Sequence, residues 1–124
     1  MQVLGLNHVS VIVQDAQRAL AFYQQVLELE KLSRPALGFP GYWLDLGGGQ
    51  SLHLMQLPDP CVGGEKPAHG GRDRHFALSV ENVAGFADKL ERLGVPYTRS
   101  RSGRAALFFR DPDGNAIELC EINV

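Results

Sequence analysis

The sequence has few of the features that would place it outside a reducing, aqueous compartment. It contains only two cysteines, too few for a disulfide framework. It has no apolar run long enough to cross a membrane, and its N-terminus has neither a basic leader nor a small-residue cleavage site. Its 14 acidic and 12 basic residues nearly balance, so there is no general attraction to nucleic acid or to an anionic membrane. These absences predict a cytoplasmic protein with no nucleic-acid or membrane partner.

Segments of strand and helix character alternate along the 124 residues. Residues 3–13 are rich in β-branched side chains and predict a strand. Asp15 can cap a helix that extends to about Leu29, and three short strand candidates follow, the first at 31–38. The same order then recurs, with a second helix capped by Asn82. We therefore predict an α+β fold with one domain of two βαβββ modules, at about 1–57 and 72–124, joined by a linker at about 58–71.

The two modules are an internal repeat. When "NHVSVIVQDAQRALAFYQQVL" is set over "RHFALSVENVAGFADKLERLG", His8 falls on His75, an offset of 67 residues. When "GQSLHLMQ" is set over "GNAIELCE", His53 falls on Glu118, an offset of 65 residues. Four residues with metal-binding side chains thus occupy two pairs of equivalent positions, on the first and last strand of each module.

Strand alternation places each of these four residues opposite a bulky apolar face. Glu118, for example, lies between Ile117 and Leu119, and an unpaired carboxylate in such surroundings is costly. A curved sheet would gather three imidazoles and one carboxylate, which are ligands for Zn, Fe(II), Ni or Mn. A divalent cation would then compensate Glu118. An arginine could do the same, and that alternative stays open.

The stretches "LNHVSVIVQDAQRALAFYQQVLEL", "RHFALSVEN" and "FFRDPDGNAIELCE" resemble the vicinal oxygen chelate superfamily. That superfamily includes glyoxalase I, the fosfomycin-resistance proteins and the extradiol dioxygenases. The resemblance implies two βαβββ modules whose paired, curved sheets enclose one divalent metal. It implies a His–His–Glu set of ligands at His8, His75 and Glu118, with His53 at the fourth position, where glyoxalase I has glutamate. It also implies a homodimer in which His8 and His53 of one chain meet His75 and Glu118 of the other, although pairing within one chain stays open.

The resemblance favours a glyoxalase-type lyase or isomerase, similar to lactoylglutathione lyase, whose small substrate chelates the metal through two oxygens. Glu118 and His53 are its candidate catalytic residues. The alternatives are an Fe(II) extradiol-type dioxygenase, a bleomycin-resistance-type binding protein and a fosfomycin-type thiol transferase. The arginine that holds glutathione in glyoxalase I is replaced by Ile12. The lysine and tyrosine that the fosfomycin-resistance proteins use are replaced by Thr98 and Phe108.

Further residues are candidates for holding a substrate, which could be anionic because "RSRSGRAALFFR" carries four arginines and no acid. A solvated loop is the alternative interpretation of these charges. Cys120 shares a strand face with Glu118 and is expected to be a buried, inert thiol, whereas His69 in the linker is expected to be solvated. The candidate substrate-binding residues are Ser10, Trp43, Ser102, Arg101 and Phe108.

Overall fold

The computed structural model describes residues 1–61 and 63–122. The chain divides into two compact units, Met1–Val62 and Gly63–Val124. In each unit one helix packs against a four-stranded mixed sheet, and this confirms the α+β fold class. Among the described residues, none of the helices has the length and apolar character that a membrane crossing requires.

The first unit has the predicted order βαβββ. Its sheet order is β1-β4-β3-β2, with β1 parallel to β4 and the remaining pairs antiparallel. The helix packs against the two central strands of this sheet. The elements are β1 (His8–Val13), α1 (Ala16–Leu27), β2 (Lys31–Leu32), β3 (Gly41–Gly47) and β4 (Gln50–Gln56).

The second unit repeats this arrangement, with sheet order β5-β8-β7-β6 and β5 parallel to β8. A short 3-10 helix at Gly70–Arg72, within the predicted linker, precedes it and packs against β7 and β8. The elements are β5 (His75–Val80), α2 (Val83–Leu93), β6 (Tyr97–Arg99), β7 (Ala106–Arg110) and β8 (Ala116–Glu121).

The strand pairing follows the internal repeat residue by residue. Ser10 of β1 lies opposite His53 of β4, and Ala77 of β5 lies opposite Glu118 of β8. Ser10 and Ala77 are equivalent at the offset that relates the first strands, and His53 and Glu118 at the offset that relates the last strands. The two units therefore present their candidate ligands at the same places on the same kind of parallel strand pair.

Both helices begin where the sequence predicts and one ends earlier. The Asp15 carboxylate accepts hydrogen bonds from two amides of the first turn of α1, at 3.0 and 3.1 Å, and Asn82 caps α2 in the same way. Helix α1 ends at Leu27, two residues before the predicted end, because Glu28 adopts a left-handed conformation with φ of 55°. Its amide donates to a carbonyl of the last turn and closes the helix.

Two predicted strands are shorter in the structure. Strand β1 begins at His8 and not at residue 3, because its partner β4 begins one residue before Ser51, which lies opposite His8. Residues 3–7 thus lie beyond the end of the partner strand. The candidate strand at 31–38 contains only Lys31–Leu32, because Pro35 has no amide proton to continue the pairing.

The predicted apolar faces are the packed ones. In β4 and β8 the side chains that flank the candidate ligands are completely buried. His8 and His75 are exposed and His53 is half-buried, whereas Glu118 is only 4% exposed. Strand β8 is therefore covered on both faces, and its carboxylate is the candidate ligand that most needs compensation. The flanking side chains are Leu52 and Leu54 in β4, and Ile117 and Leu119 in β8.

Candidate functional site

The second unit brings His75 and Glu118 together. They lie on the same face of neighbouring parallel strands, and His75 Nε2 is 3.2 Å from Glu118 Oε1. Two ligands that bind one zinc ion at about 2.0–2.2 Å, at roughly right-angled or tetrahedral angles, lie about 3 Å apart. The spacing of this pair therefore fits two ligands of one ion.

The tautomer of His75 is set by the backbone. His75 Nδ1 is 2.8 Å from the carbonyl oxygen of Asp73, and a carbonyl only accepts hydrogen bonds, so Nδ1 carries a proton. Nε2 then faces the carboxylate with a lone pair, unless a second proton occupies it. Two acceptors do not stay 3.2 Å apart without a positive charge between them, so this gap calls for a proton or a metal cation.

The chain also supplies its own compensation for Glu118. Arg104 Nη2 lies 3.2 Å from Glu118 Oε2, and the Cys120 thiol donates to the same oxygen at 3.1 Å. The arginine that sequence analysis left as an alternative is therefore present beside the carboxylate. Cys120 is half-buried on the Glu118 face, and its hydrogen bond to Glu118 raises the pKa of the thiol above its usual range. The thiol therefore stays protonated and able to donate.

The first unit holds His53 between two aromatic rings. The His8 ring stacks on one side with centroids 4.1 Å apart, and the Trp43 ring stacks on the other at 4.2 Å, with interplanar angles of 11° and 6°. The Ser51 hydroxyl lies 2.9 Å from His53 Nε2. His8 Nδ1 lies 2.8 Å from the side-chain oxygen of Asn7, which makes Nδ1 a donor and leaves Nε2 with the lone pair.

These contacts keep His53 neutral and fix the plane of its ring. Burial lowers the pKa of His53, and the positive charges of His8 and Arg34 lower it further. Since the rings of His8 and His53 are nearly parallel, their in-plane lone pairs do not converge on one point. His53 could bind the same ion as His8 only if its ring turned and left Ser51. The first unit thus fits a metal less well than the second.

His69 is buried and not solvated, so the expectation for it is wrong. It is 8% exposed, its Nδ1 lies 2.7 Å from the Thr98 hydroxyl, and its ring meets the edge of Phe108 at 5.0 Å. Burial lowers its pKa, and the charge of Arg101 adds to this. Phe108 also contacts His75 edge-on at 5.2 Å, so His69 lies one ring away from a candidate ligand. The 3-10 helix that brings it there has no periodic sequence pattern that could predict it.

The candidate substrate residues fall into two groups. Trp43 and Phe108 contact candidate ligands directly, and Ser10 is exposed on β1 opposite His53. Ser102 and Arg101 are exposed in the loop after β6, and Ser102 accepts hydrogen bonds from the arginine that reaches the carboxylate. The structure therefore brings the aromatic candidates to the candidate ligands and leaves the roles of the others as predictions.

The four predicted ligands form two pairs, one in each unit. Within residues 1–61 and 63–122 the structure contains no group of three or more His, Cys, Asp or Glu side chains arranged to hold a metal ion. Each unit by itself thus offers two of the four side chains. The complete set of His8, His53, His75 and Glu118 stays a prediction.

Comparison with known proteins agrees with the repeat and the fold. Residues 5–119 match the sequence model of the glyoxalase, bleomycin resistance protein and dioxygenase superfamily. The chain belongs to this superfamily. The match spans both units, so the predicted resemblance is confirmed.

Individual relatives include enzymes. The chain is 36% identical to Glyoxylase I 4 of Arabidopsis thaliana, over 97% of this chain and 72% of the relative. It is 32% identical to lactoylglutathione lyase of Salmonella typhimurium, over 95% of this chain and 93% of the relative. The fosfomycin resistance protein FosX of Listeria monocytogenes has the same fold, with a TM-score of 0.76 at 22% identity and coverage of 96% and 92% of the two chains.

Proposed function

We propose that this protein is a divalent-metal-dependent glyoxalase-type enzyme, a lyase or isomerase acting on a small substrate that chelates the metal through two oxygens. The observation that carries the proposal is the His75–Glu118 pair, with its 3.2 Å gap and backbone-fixed tautomer. The likeness to a lactoylglutathione lyase over nearly the full length of both chains supports the class of reaction.

In the proposed centre His8, His75 and Glu118 are ligands. Both histidines donate from Nδ1, to Asn7 and to a backbone carbonyl respectively, so each has Nε2 available for a cation. Glu118 offers Oε1, since two donors occupy Oε2. A bound divalent ion (Zn, Ni, Fe(II) or Mn) would supply Lewis-acid polarisation of a carbonyl group.

We assign His53 to proton transfer in preference to coordination. Its lowered pKa keeps a lone pair available at neutral pH, and its stacking against Trp43 holds that lone pair in one plane. Glu118 is less suited to take up a proton, because Arg104 and Cys120 stabilise its charged form. Trp43 and Phe108 add apolar surface beside the candidate ligands, which would exclude water from the reacting carbon.

The first test is metal content followed by activity. Protein purified without chelator should contain about one divalent ion per centre, and the loaded protein should isomerise the hemithioacetal of methylglyoxal and a thiol without O₂. Because Ile12 stands where glyoxalase I has its glutathione arginine, we expect thiols other than glutathione to serve as well. A protein that binds no metal after reconstitution would refute the proposal and favour the binding-protein alternative. O₂-dependent cleavage of catechols would refute it in favour of a dioxygenase, and thiol addition to fosfomycin in favour of a transferase.

We further propose that two copies of the chain complete the centre, the His8–His53 pair of one copy facing the His75–Glu118 pair of the other. This predicts a homodimer, and co-expression of two defective chains tests it. One chain carries His8→Ala and His53→Ala, and the other carries His75→Ala and Glu118→Gln. Each variant alone should be inactive, whereas the mixed dimer should recover one intact centre in two. If the mixed dimer has no activity but the wild type is active, the shared-site proposal is wrong.

A further inference from the structure

We infer that Arg104 and Cys120 are positioning residues that hold Glu118 by Oε2 so that only Oε1 faces the proposed metal. The inference rests on the proposed function. Both donors converge on one oxygen of the carboxylate, at 3.2 and 3.1 Å, while His75 Nε2 faces the other. A carboxylate with one oxygen engaged in this way binds an ion through the remaining oxygen.

Arg104 is held by the loop that carries it. The Ser102 hydroxyl accepts hydrogen bonds from the Arg104 backbone amide at 3.3 Å and from Arg104 Nε at 3.4 Å. Ser102 is in turn 2.7 Å from the Ser100 hydroxyl, and the Ser100 amide donates to the carbonyl of Ala106 in β7. The guanidinium therefore reaches the carboxylate from a loop that is anchored to the neighbouring strand.

The strand neighbours of Glu118 do not orient its carboxylate by hydrogen bonding. Ala77 lies opposite it on β5 and Phe108 on β7, and neither side chain has a polar atom. Because the Glu118 side chain is only 6% exposed, water does little to orient it either. The direction of the two oxygens thus depends on Arg104, Cys120 and His75.

Exposure also decides between help and competition by Arg104. A cation beside a ligand can orient it, or it can repel the incoming metal. The Arg104 side chain is 65% exposed, so water and salt screen its charge, whereas the carboxylate it holds is buried. Orientation acts on the buried partner and repulsion acts through the solvated one. We therefore expect Arg104 to strengthen metal binding.

The test measures the affinity of the full-length protein for Zn²⁺ and Mn²⁺ by calorimetry, with a competing chelator for Zn²⁺. Arg104→Gln should weaken binding about 10- to 100-fold, the usual effect of losing a group that orients a ligand. Arg104→Lys should recover part of this loss. Cys120→Ala should weaken binding less, and Cys120→Ser, which keeps a donor, should restore it. Arg99→Gln changes charge equally in the nearby strand β6, where Arg99 stacks on Tyr97, and should bind as wild type does.

The outcomes separate this inference from the proposed function. If the wild type and Arg99→Gln bind metal but Arg104→Gln binds equally well or more tightly, Arg104 is a competitor and the inference is wrong. If the wild type itself binds no metal, the proposed function fails and the inference fails with it. Thermal unfolding and sedimentation of each variant check that folding and oligomeric state are unchanged, as expected for a side chain on an exposed loop.

Discussion

Replacement of Glu118 by glutamine separates a ligand from a structural acid. The amide has the shape of the carboxylate, and its oxygen can still accept from Arg104 and Cys120. Its NH₂ group can donate to the lone pair of His75 Nε2, 3.2 Å away, where the carboxylate could not. No buried polar group is left without a partner. Two charge-assisted hydrogen bonds become neutral ones, at a cost of about 1 kcal/mol each. We expect Glu118→Gln to lower the free energy of unfolding of the apoprotein by about 1–2 kcal/mol.

Metal binding should respond far more strongly. Glutamine removes the only anionic ligand of the proposed centre and places an N–H donor towards the position of the ion. The loss should exceed the roughly 10- to 100-fold effect of second-shell changes. Calorimetry with Zn²⁺ or Mn²⁺ and urea unfolding of the same samples give both quantities. Glu81→Gln, at an exposed position after β5, is the control for net charge. If Glu118→Gln bound metal as tightly as Glu81→Gln, Glu118 would not be a ligand and the proposed centre would be wrong.

Three other changes test the fold and its buried polar groups. His69→Gln should make stability less sensitive to acid: the pKa of His69 is lowered in the folded protein, so as pH falls through about 6.5 the unfolded chain takes up a proton first and the wild type loses stability. Urea unfolding at pH 7.5 and 5.5 measures this, and an unchanged pH dependence would contradict it. Leu119→Ala should cost about 2–5 kcal/mol in the same assay, because the side chain is completely buried in β8, and a loss below 1 kcal/mol would argue against that packing. Asp111→Ala should cost about 1–3 kcal/mol, because its carboxylate accepts from the amides of Asp113 and Asn115 at 2.9 Å, and the melting temperature should fall accordingly.

Strand alternation and the internal repeat were sufficient to predict which residues share a face. The alternation has a period of two, so once His53 and Glu118 were matched across the repeat, the buried faces beside them followed. The same reasoning predicted both helix starts, because a capping side chain at the first turn is a local signal. These features depend on residues close together in the sequence.

The surroundings of the candidate ligands depend on loops and could not be predicted in this way. Arg104 lies in a segment without periodicity, where a charged side chain usually faces water, yet it reaches a carboxylate on β8. His69 is buried by a 3-10 helix inside a stretch with the composition of a linker. A more useful signal was the buried Glu118 itself, which required a cationic partner and so made an arginine in a neighbouring loop worth considering.

The difference between the two units follows from one pair of strand neighbours. Trp43 lies opposite His53 on β3, and Phe108 lies opposite Glu118 on β7, so the backbone places an aromatic residue beside both positions. An imidazole can stack face to face on such a ring and stay neutral, as His53 does on Trp43. A carboxylate gains nothing from that face and turns instead to donors, as Glu118 does to Arg104. One repeated backbone thereby yields a neutral proton acceptor in one unit and a fixed anionic ligand in the other. In the proposed enzyme this divides proton transfer and metal binding between equivalent positions.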